Sequence, residues 1–403
     1  MKKIPMLFAV LHFAFFAARA QDEKPEILEL DGYLKEMPSL YILQKEIPIS
    51  AAENMKWTWY NLVHNRLNLK FNATKNLSFS VGMRNRFLSG GFIGTIPQYA
   101  DVLSVDNGLA DLSWNIFSKD GMVINTSFDR ACLDFTVKSV QVKIGRQRVN
   151  WGIGLVWNPN DIFNAFSYID FDYEERPGSD AVSVSWYRSA TSSLDVVGKM
   201  DKNPADSSHQ STIAARYFFN LSSYDFQLIA GKFNDDVVGG FGWSGAIKNV
   251  SFRGEMSVFT PALNRNINRK TAVVASVEAD YTFENQLYLH GAALFNSSGK
   301  LKNTEGMDLF TTQSDLSAKK LSYGKFEIFG QASYPVSPVF HLVLAAMLNP
   351  ADLSAYLSPS CTFSLADNLE LMLNTQLLLG KSNTEYAANG NVYAGFARLK
   401  WSF

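Results

Sequence analysis

The sequence predicts an all-β chain: a transmembrane, antiparallel up-and-down β-barrel of 16–18 strands, with 18 preferred over 16. Three observations lead there. About nineteen segments alternate apolar and polar residues with period two, most near the ~9–11 residues a tilted strand needs to cross hydrocarbon. No helix-period segment competes over a comparable length. Tight hairpins alternate with longer polar connections, the asymmetry of a barrel with short inner turns and long outer loops.

Taken in order, the chain opens with an export signal. Lys2 and Lys3 form a basic start, Met6 to Ala17 an apolar run too short to span a bilayer, and Ala18-Arg19-Ala20 a small-x-small cleavage site. Residue 21 is Gln, not Cys, which argues against a lipid anchor. Residues 1–20 are therefore assigned to a cleaved signal peptide and 21–403 to one barrel domain. Without Lys2, Lys3 and Arg19, the 37 basic residues become 34 against 38 acidic ones, a net charge of −4. That balance offers no basic surface for nucleic acid. The two cysteines, Cys132 and Cys361, are far apart and read as unpaired.

The strand pattern begins at 57–72, where Leu67, Leu69 and Phe71 alternate with Asn68, Lys70 and Asn72. It continues through LSFSVGMRNRF, VQVKIG, AVSVSWY and the later segments to LELMLNTQLLLG. Lys138-Ser139, Lys248-Asn249, Phe283-Glu284-Asn285 and Asp367-Asn368 read as tight turns. Aromatic residues crowd the strand ends (Trp57, Trp59, Tyr60; Tyr281, Phe283), as in interfacial girdles. A soluble β-sandwich shares the period, but nineteen strands are too many for one, and no linker divides the chain.

The last thirteen residues, NVYAGFARLKWSF, place Tyr393, Leu399, Trp401 and Phe403 on one face. A terminal Phe behind alternating apolar residues resembles the signal by which outer-membrane barrels are recognised by their insertion machinery. Counting strands back from Phe403 puts 381–390, 297–320, 261–269, 201–210 and 151–179 outside, and 366–368, 335–338, 283–285, 222–225 and 138–139 inside. Upstream the parity fails. If 122–137 and 109–117 are single strands, the long 89–108 connection falls on the inner side. Either Asp129-Arg130 breaks the first segment, or 89–108 hides a short strand or an inward plug.

Catalytic signatures are missing. LLLGKS at 377–382 has Thr375 where a phosphate loop needs its first Gly. Gly242-Trp243-Ser244-Gly245 brings its second Gly one residue early for a nucleophile elbow. His64, His209, His290 and His341 show no metal-ligand spacing. The expectation is no enzyme, no catalytic or metal residues, and no cofactor.

What remains is GRQRVNWGIGLVWNPNDIFNAFSYIDFDYEERPGSDA at 145–181. A connection this long is functional or disordered, and its aromatic content argues against disorder. Arg146 and Arg148 share the parity of Val140, Val142 and Ile144, so they lie at the rim or are turned inward by a bulge at Gly145. Asp161, Asp170, Asp172, Glu174, Glu175 and Asp180 follow, and Arg–carboxylate pairs are expected to pin the loop across the barrel mouth. Trp151, Trp157 and Phe163 would pack it against the inner wall. Arg146 and Arg148 facing Asp170, Asp172, Glu174 and Glu175 would then form a charged constriction. The alternative is a clamp or plug.

The stretches GRQRVNWG (145–152), VWNPNDIFN (156–164) and DFDYEERPGSDA (170–181), with a weaker match at DGYLKEM (31–37), resemble porin-like outer-membrane proteins of Bacteroidetes-type Gram-negative bacteria whose function is uncharacterised. The resemblance covers about a tenth of the chain and implies location and architecture, not a substrate.

The leading expectation is a channel in the outer membrane for passive diffusion of small hydrophilic solutes. Its partners would be membrane lipid, the insertion machinery and the solutes themselves. A scaffold for surface binding or adhesion is the second reading. A membrane-embedded hydrolase, needing Asp235, Asp236 and His209 to converge at the rim, is the third.

Overall fold

In hydrocarbon a strand edge has no water to satisfy its N–H and C=O groups, so a spanning sheet must close on itself. A computed structural model describes residues 27–50, 53–95, 99–119, 121–172, 175–202, 208–262, 270–302, 304 and 316–403. Residues 1–20, expected to be a signal peptide, and Glu174 lie outside the described residues. The strands are β1 (Leu28–Ser50), β2 (Glu53–Thr74), β3 (Leu77–Ser89), β4 (Ser113–Lys119), β5 (Met122–Val137), β6 (Val140–Gln147) and β7 (Ser179–Ser189). They continue with β8 (Ser192–Lys202), β9 (His209–Leu221), β10 (Tyr224–Phe233), β11 (Asp236–Ile247), β12 (Val250–Pro261) and β13 (Ala272–Thr282). The last are β14 (Tyr288–Asn296), β15 (Phe326–Ser337), β16 (Phe340–Asn349), β17 (Ser354–Ala366), β18 (Leu369–Leu379) and β19 (Val392–Ser402). All pairings are antiparallel, and β1 bonds both β2 and β19, closing the barrel. Gly32 and Phe403 extend that seam by exchanging N–H···O bonds of 2.9 and 3.0 Å.

Nineteen strands make eighteen staves. One edge of β5 is covered along its length by β3, from Leu77↔Phe135 to Ser89↔Met122. Its other edge is shared: β6 pairs with residues 131–137 and β4 with 122–127. β4 and β6 thus occupy one stave end to end. This resolves the failed parity. β3 and β5 are direct neighbours, and 90–121 is an outer connection that folds its own short strand back onto β5. Asp129 does not break β5. It is the extra residue of a bulge, since Gly82 pairs with Arg130 and Met83 with Phe128.

Burial is inverted relative to a soluble protein. Leu34, Leu40, Ile42, Trp57, Trp59, Phe135 and Val182 are exposed on the outer face. Lys35, His64, Arg66, Gln227, Glu255 and Glu278 point inward and are at most 2% exposed. An apolar outside around a polar lumen is the architecture of an outer-membrane barrel. Near the tight-turn end, Tyr217, Phe219, Phe226, Phe241, Trp243 and Phe252 stack across neighbouring strands at centroid separations of 5.3 to 6.2 Å. Gly254 makes room for this row, because a Cβ there would lie 2.3 Å from the Trp243 ring. The left-handed backbone of Ser222 and Ser223 (φ 53° and 67°) fits a two-residue hairpin.

Two outer connections pack into the lumen. Within 90–121, helices α1 (Gly91–Thr95) and α2 (Tyr99–Ser104) carry Phe92, Ile93 and Tyr99 onto Leu62, Leu88, Val123 and Phe396. The other is the connection between β6 and β7.

Candidate functional site

The β6–β7 connection leaves the wall after Gln147, whose pairing with Ser179 ends the ladder. Gly145 has φ +115°, and a Cβ there would lie 2.2 Å from the Ala131 carbonyl oxygen, so this strand position requires glycine. Registers run unbroken through Cys132↔Gly145↔Ala181 and Ala131↔Arg146↔Asp180, so Gly145 is not a bulge. Arg146 therefore keeps the outward parity of Ile144 and stands at the rim, covered by the segment before β4. Its guanidinium bonds Asp180 through Nε (2.7 Å) and Nη2 (2.9 Å) and Asp106 through Nη1 (2.5 Å). It also donates to the carbonyl oxygens of Ala110 (2.7 Å) and Phe128 (3.2 Å). Asp180 is one of the six downstream acids. Asp106 was not anticipated, and Arg146 does not meet Asp170, Asp172 or Glu175. Arg148 is exposed.

The loop itself is fastened by its backbone. A segment inside a barrel must still satisfy its N–H and C=O groups. Glu255 on β12 does this for three residues, accepting from the N–H of Ile153, Gly154 (2.8 Å) and Asn160 (2.9 Å). Glu278 on β13 accepts from Leu155 (2.8 Å) and Val156 (3.1 Å). Gln227 on β10 donates to the Trp151 carbonyl (2.8 Å), Ser276 on β13 to that of Trp157 (3.0 Å), and Lys199 on β8 to that of Phe163 (2.7 Å). Asn160 donates to the Phe241 carbonyl on β11 (3.0 Å) and accepts from Ser257 on β12 (2.8 Å). Trp151, Trp157 and Phe163 are 3, 6 and 2% exposed. Trp151 and Phe163 meet edge to face at 4.9 Å, and Trp157 packs on Phe329 of β15.

Residues 165–172 and Glu175 then meet the opposite wall. Tyr168 donates to Gln331 on β15 (2.9 Å), Gln376 on β18 donates to the Ile169 carbonyl (2.9 Å), and Phe171 packs on Phe396 of β19. Lys35 on β1, fully buried, bonds both the carboxylate (2.6 Å) and the carbonyl (2.7 Å) of Asp172. Arg66 on β2 holds Glu175 and, bidentately, Asp129 at 2.6 and 2.9 Å. Asp170 is half-buried in the same stretch. Asp172 and Glu175 are thus tied by Lys35 and Arg66, not by Arg146 and Arg148. The anchors that went unseen had one available signal: Glu255 and Glu278 are acids at lumenal positions, alternating with Ser257 and Ser276.

Asp161 sits under the loop, 1% exposed, 3.5 Å from Arg176. Burial pushes its carboxyl up to about 7, against the pull of Arg176 and Arg148. The same burial lowers the Arg176 guanidinium to about 10. Arg176 stacks on Phe166 at 3.2 Å.

Hydrogen exchange of the loop amides tests Glu255 and Asp161. In Glu255→Gln the amides of Ile153, Gly154 and Asn160 should exchange ~10–100-fold faster, since losing a charged acceptor for buried donors costs about 1–3 kcal/mol. Unchanged protection would show that Glu255 is not the pin. Asp161 holds its proton more tightly when the loop is docked, from 3.8 up to about 7. Its contribution is complete below the lower value and is lost as pH rises through the upper one. Protection corrected for intrinsic exchange should therefore be higher at pH 5 than at pH 8, and Asp161→Asn should reduce the difference.

No protein-family model matches the sequence, and no curated protein matches it. Solved structures do resemble the fold. A BenF-like porin from Pseudomonas fluorescens Pf-5 aligns over 94% of this chain and 99% of its own, with TM-score 0.58 and 11% identity. OccAB4 of Acinetobacter baumannii aligns over 95% and 100%, with TM-score 0.58 and 8% identity. OccD3 (OpdP) of Pseudomonas aeruginosa aligns over 93% and 91%, with TM-score 0.54 and 10% identity. The chain therefore shares the closed eighteen-stave barrel of outer-membrane porins from Gram-negative bacteria, at an identity that speaks for the fold alone.

Proposed function

We propose that this protein is an outer-membrane channel through which small hydrophilic solutes pass by diffusion. The observation that carries the reading is the docked loop at 148–178. It is fastened to staves on both sides of the lumen, from β8 to β15 and again at β18, β19, β1 and β2, so it narrows the barrel. Two of its acids are paired with buried cations: Asp172 with Lys35, and Glu175 with the Arg66 that also holds Asp129. Guanidinium groups on Arg84, Arg86, Arg130, Arg148 and Arg176 are partly or fully exposed around it, beside the partly exposed carboxylates of Asp170, Glu175 and Asp180. A narrow section lined by guanidinium groups favours small anions over cations.

The fold of the porins named above supports this reading, and so does the motif resemblance, which would group the chain with porin-like proteins of Bacteroidetes-type bacteria. The lipid-facing residues Tyr393, Leu399 and Trp401, with Phe403 completing the β1–β19 seam, fit a C-terminal strand read by the insertion machinery. Deleting Phe403 should then lower the amount of folded barrel in the outer membrane severalfold, scored on unheated gels; normal assembly would remove that role.

A second reading has its own support. The apolar packing of Trp151, Trp157 and Phe163 suits a barrel closed by its loop and used as a scaffold for surface binding. The hydrolase reading gains nothing: Asp236 is held by Lys319 at 2.5 Å, and His209 pairs with Lys202 at the end of β8. Planar-bilayer recording separates the first two. The channel reading predicts stepwise conductance with a reversal potential, in a KCl gradient, on the chloride side. Arg84→Gln with Arg86→Gln should move that potential toward potassium. A folded preparation that never conducts would favour the scaffold.

A further inference from the structure

We infer that the outer face of β1, β2, β3 and β5 is the contact surface of a two-fold dimer of this chain within the membrane. The lipid-facing positions of these four staves are apolar except along one strip. Glu36, exposed at the middle of β1, accepts a hydrogen bond from Asn61 on β2 (3.0 Å). Beside it, Asn65 donates to the Tyr33 carbonyl (3.2 Å), Asn85 on β3 donates to Asn65 (3.3 Å), and Thr126 on β5 donates to Asn85 (2.8 Å). Asn65, Asn85 and Thr126 are register partners, so the strip runs straight across three strands. Among the described residues, the outward positions of the other staves between the rims are apolar or glycine, with Thr375 and Cys361 as small exceptions.

Acyl chains offer no donors to the exposed carboxylate of Glu36. A carboxylate held in that layer calls for protein on its far side. The chemistry of the strip selects a second copy of the same chain. Each amide is both donor and acceptor, so the strip is self-complementary: the amides of one copy supply N–H groups to the Glu36 of the other. Copies inserted the same way up are related by an axis along the membrane normal. One polar strip meeting itself about that axis closes as a dimer, whereas a larger ring needs a second, different patch. Four staves at about 4.8 Å give a face roughly 19 Å wide. Over an apolar band ~25 Å tall this is about 475 Å², somewhat more than half of the ~800 Å² that a standard contact buries per partner.

The test uses the full-length barrel with Cys132 and Cys361 changed to Ser. Val63 lies on β2 between Asn61 and Asn65, opposite Glu36. Leu289 lies on β14, exposed on the far flank. After mild oxidation in native outer membranes, Val63→Cys should give a covalent species of twice the chain mass, and Leu289→Cys should give none. Adding Glu36→Leu and Asn61→Leu should cut that product at least tenfold while the unheated gel band still reports a folded barrel. The proposal is overturned if Val63→Cys stays monomeric, if it links to a different protein or into a ring of three, or if Leu289→Cys links equally well.

Discussion

The hydrogen bonds between β1 and β19 are the constraint from which the rest follows. Lipid cannot solvate an open sheet edge, so the first and last strands must meet. They do so from Leu43↔Val392 to Tyr33↔Ser402, with Gly32 and Phe403 completing the seam. Closure sets an outside that must be apolar and an inside that can be polar. A lumen lined by buried Lys35, Arg66, Gln227, Glu255 and Glu278 is a consequence. Such a wall can dock a long loop only if it offers acceptors and donors for the loop backbone.

That requirement explains the division of labour inside the barrel. Carboxylates on β12 and β13 take the N–H groups of the first half of the loop, and amide, hydroxyl and ammonium groups on the wall take its carbonyls. Aromatic side chains fill the space between. The second half is held by charge: Asp172 on Lys35 and Glu175 on Arg66, both cations buried. Arg146 does a different job. It sits in the wall where β6 stops and β4 takes over the stave, and its bonds to Asp106 and Asp180 join the two inward-folding connections.

Much of this architecture could be read from the sequence, because period-two alternation and turn spacing report directly on strands. The barrel and its preferred strand number, the sides of the downstream connections and the segments that form strands all came from that signal. The parity failure upstream was also a real signal, since β4 is a strand without being a separate stave. No local pattern could show that, because the sharing of one edge of β5 depends on distant pairing. The loop partners were harder. The six acids downstream of Arg146 included Asp180, its true partner, but Asp106 lies forty residues upstream. Lys35 falls in DGYLKEM and Asp172 in DFDYEERPGSDA, so two of the recognised stretches meet in space, a contact that no spacing rule predicts. The polar strip at Glu36, Asn61, Asn65 and Asn85 becomes visible only once register places these residues side by side.

The central claim is that residues 148–172 lie docked inside the lumen against β12 and β13. Asn160 and Ser257 touch across that contact, 2.8 Å apart. With Cys132 and Cys361 replaced by Ser, the pair Asn160→Cys and Ser257→Cys reports on it directly. The account predicts that a disulfide forms between them in intact cells and that neither thiol reacts with a membrane-impermeant maleimide added from outside. Free thiols that label readily in a folded barrel would show the loop standing outside the lumen and would contradict it.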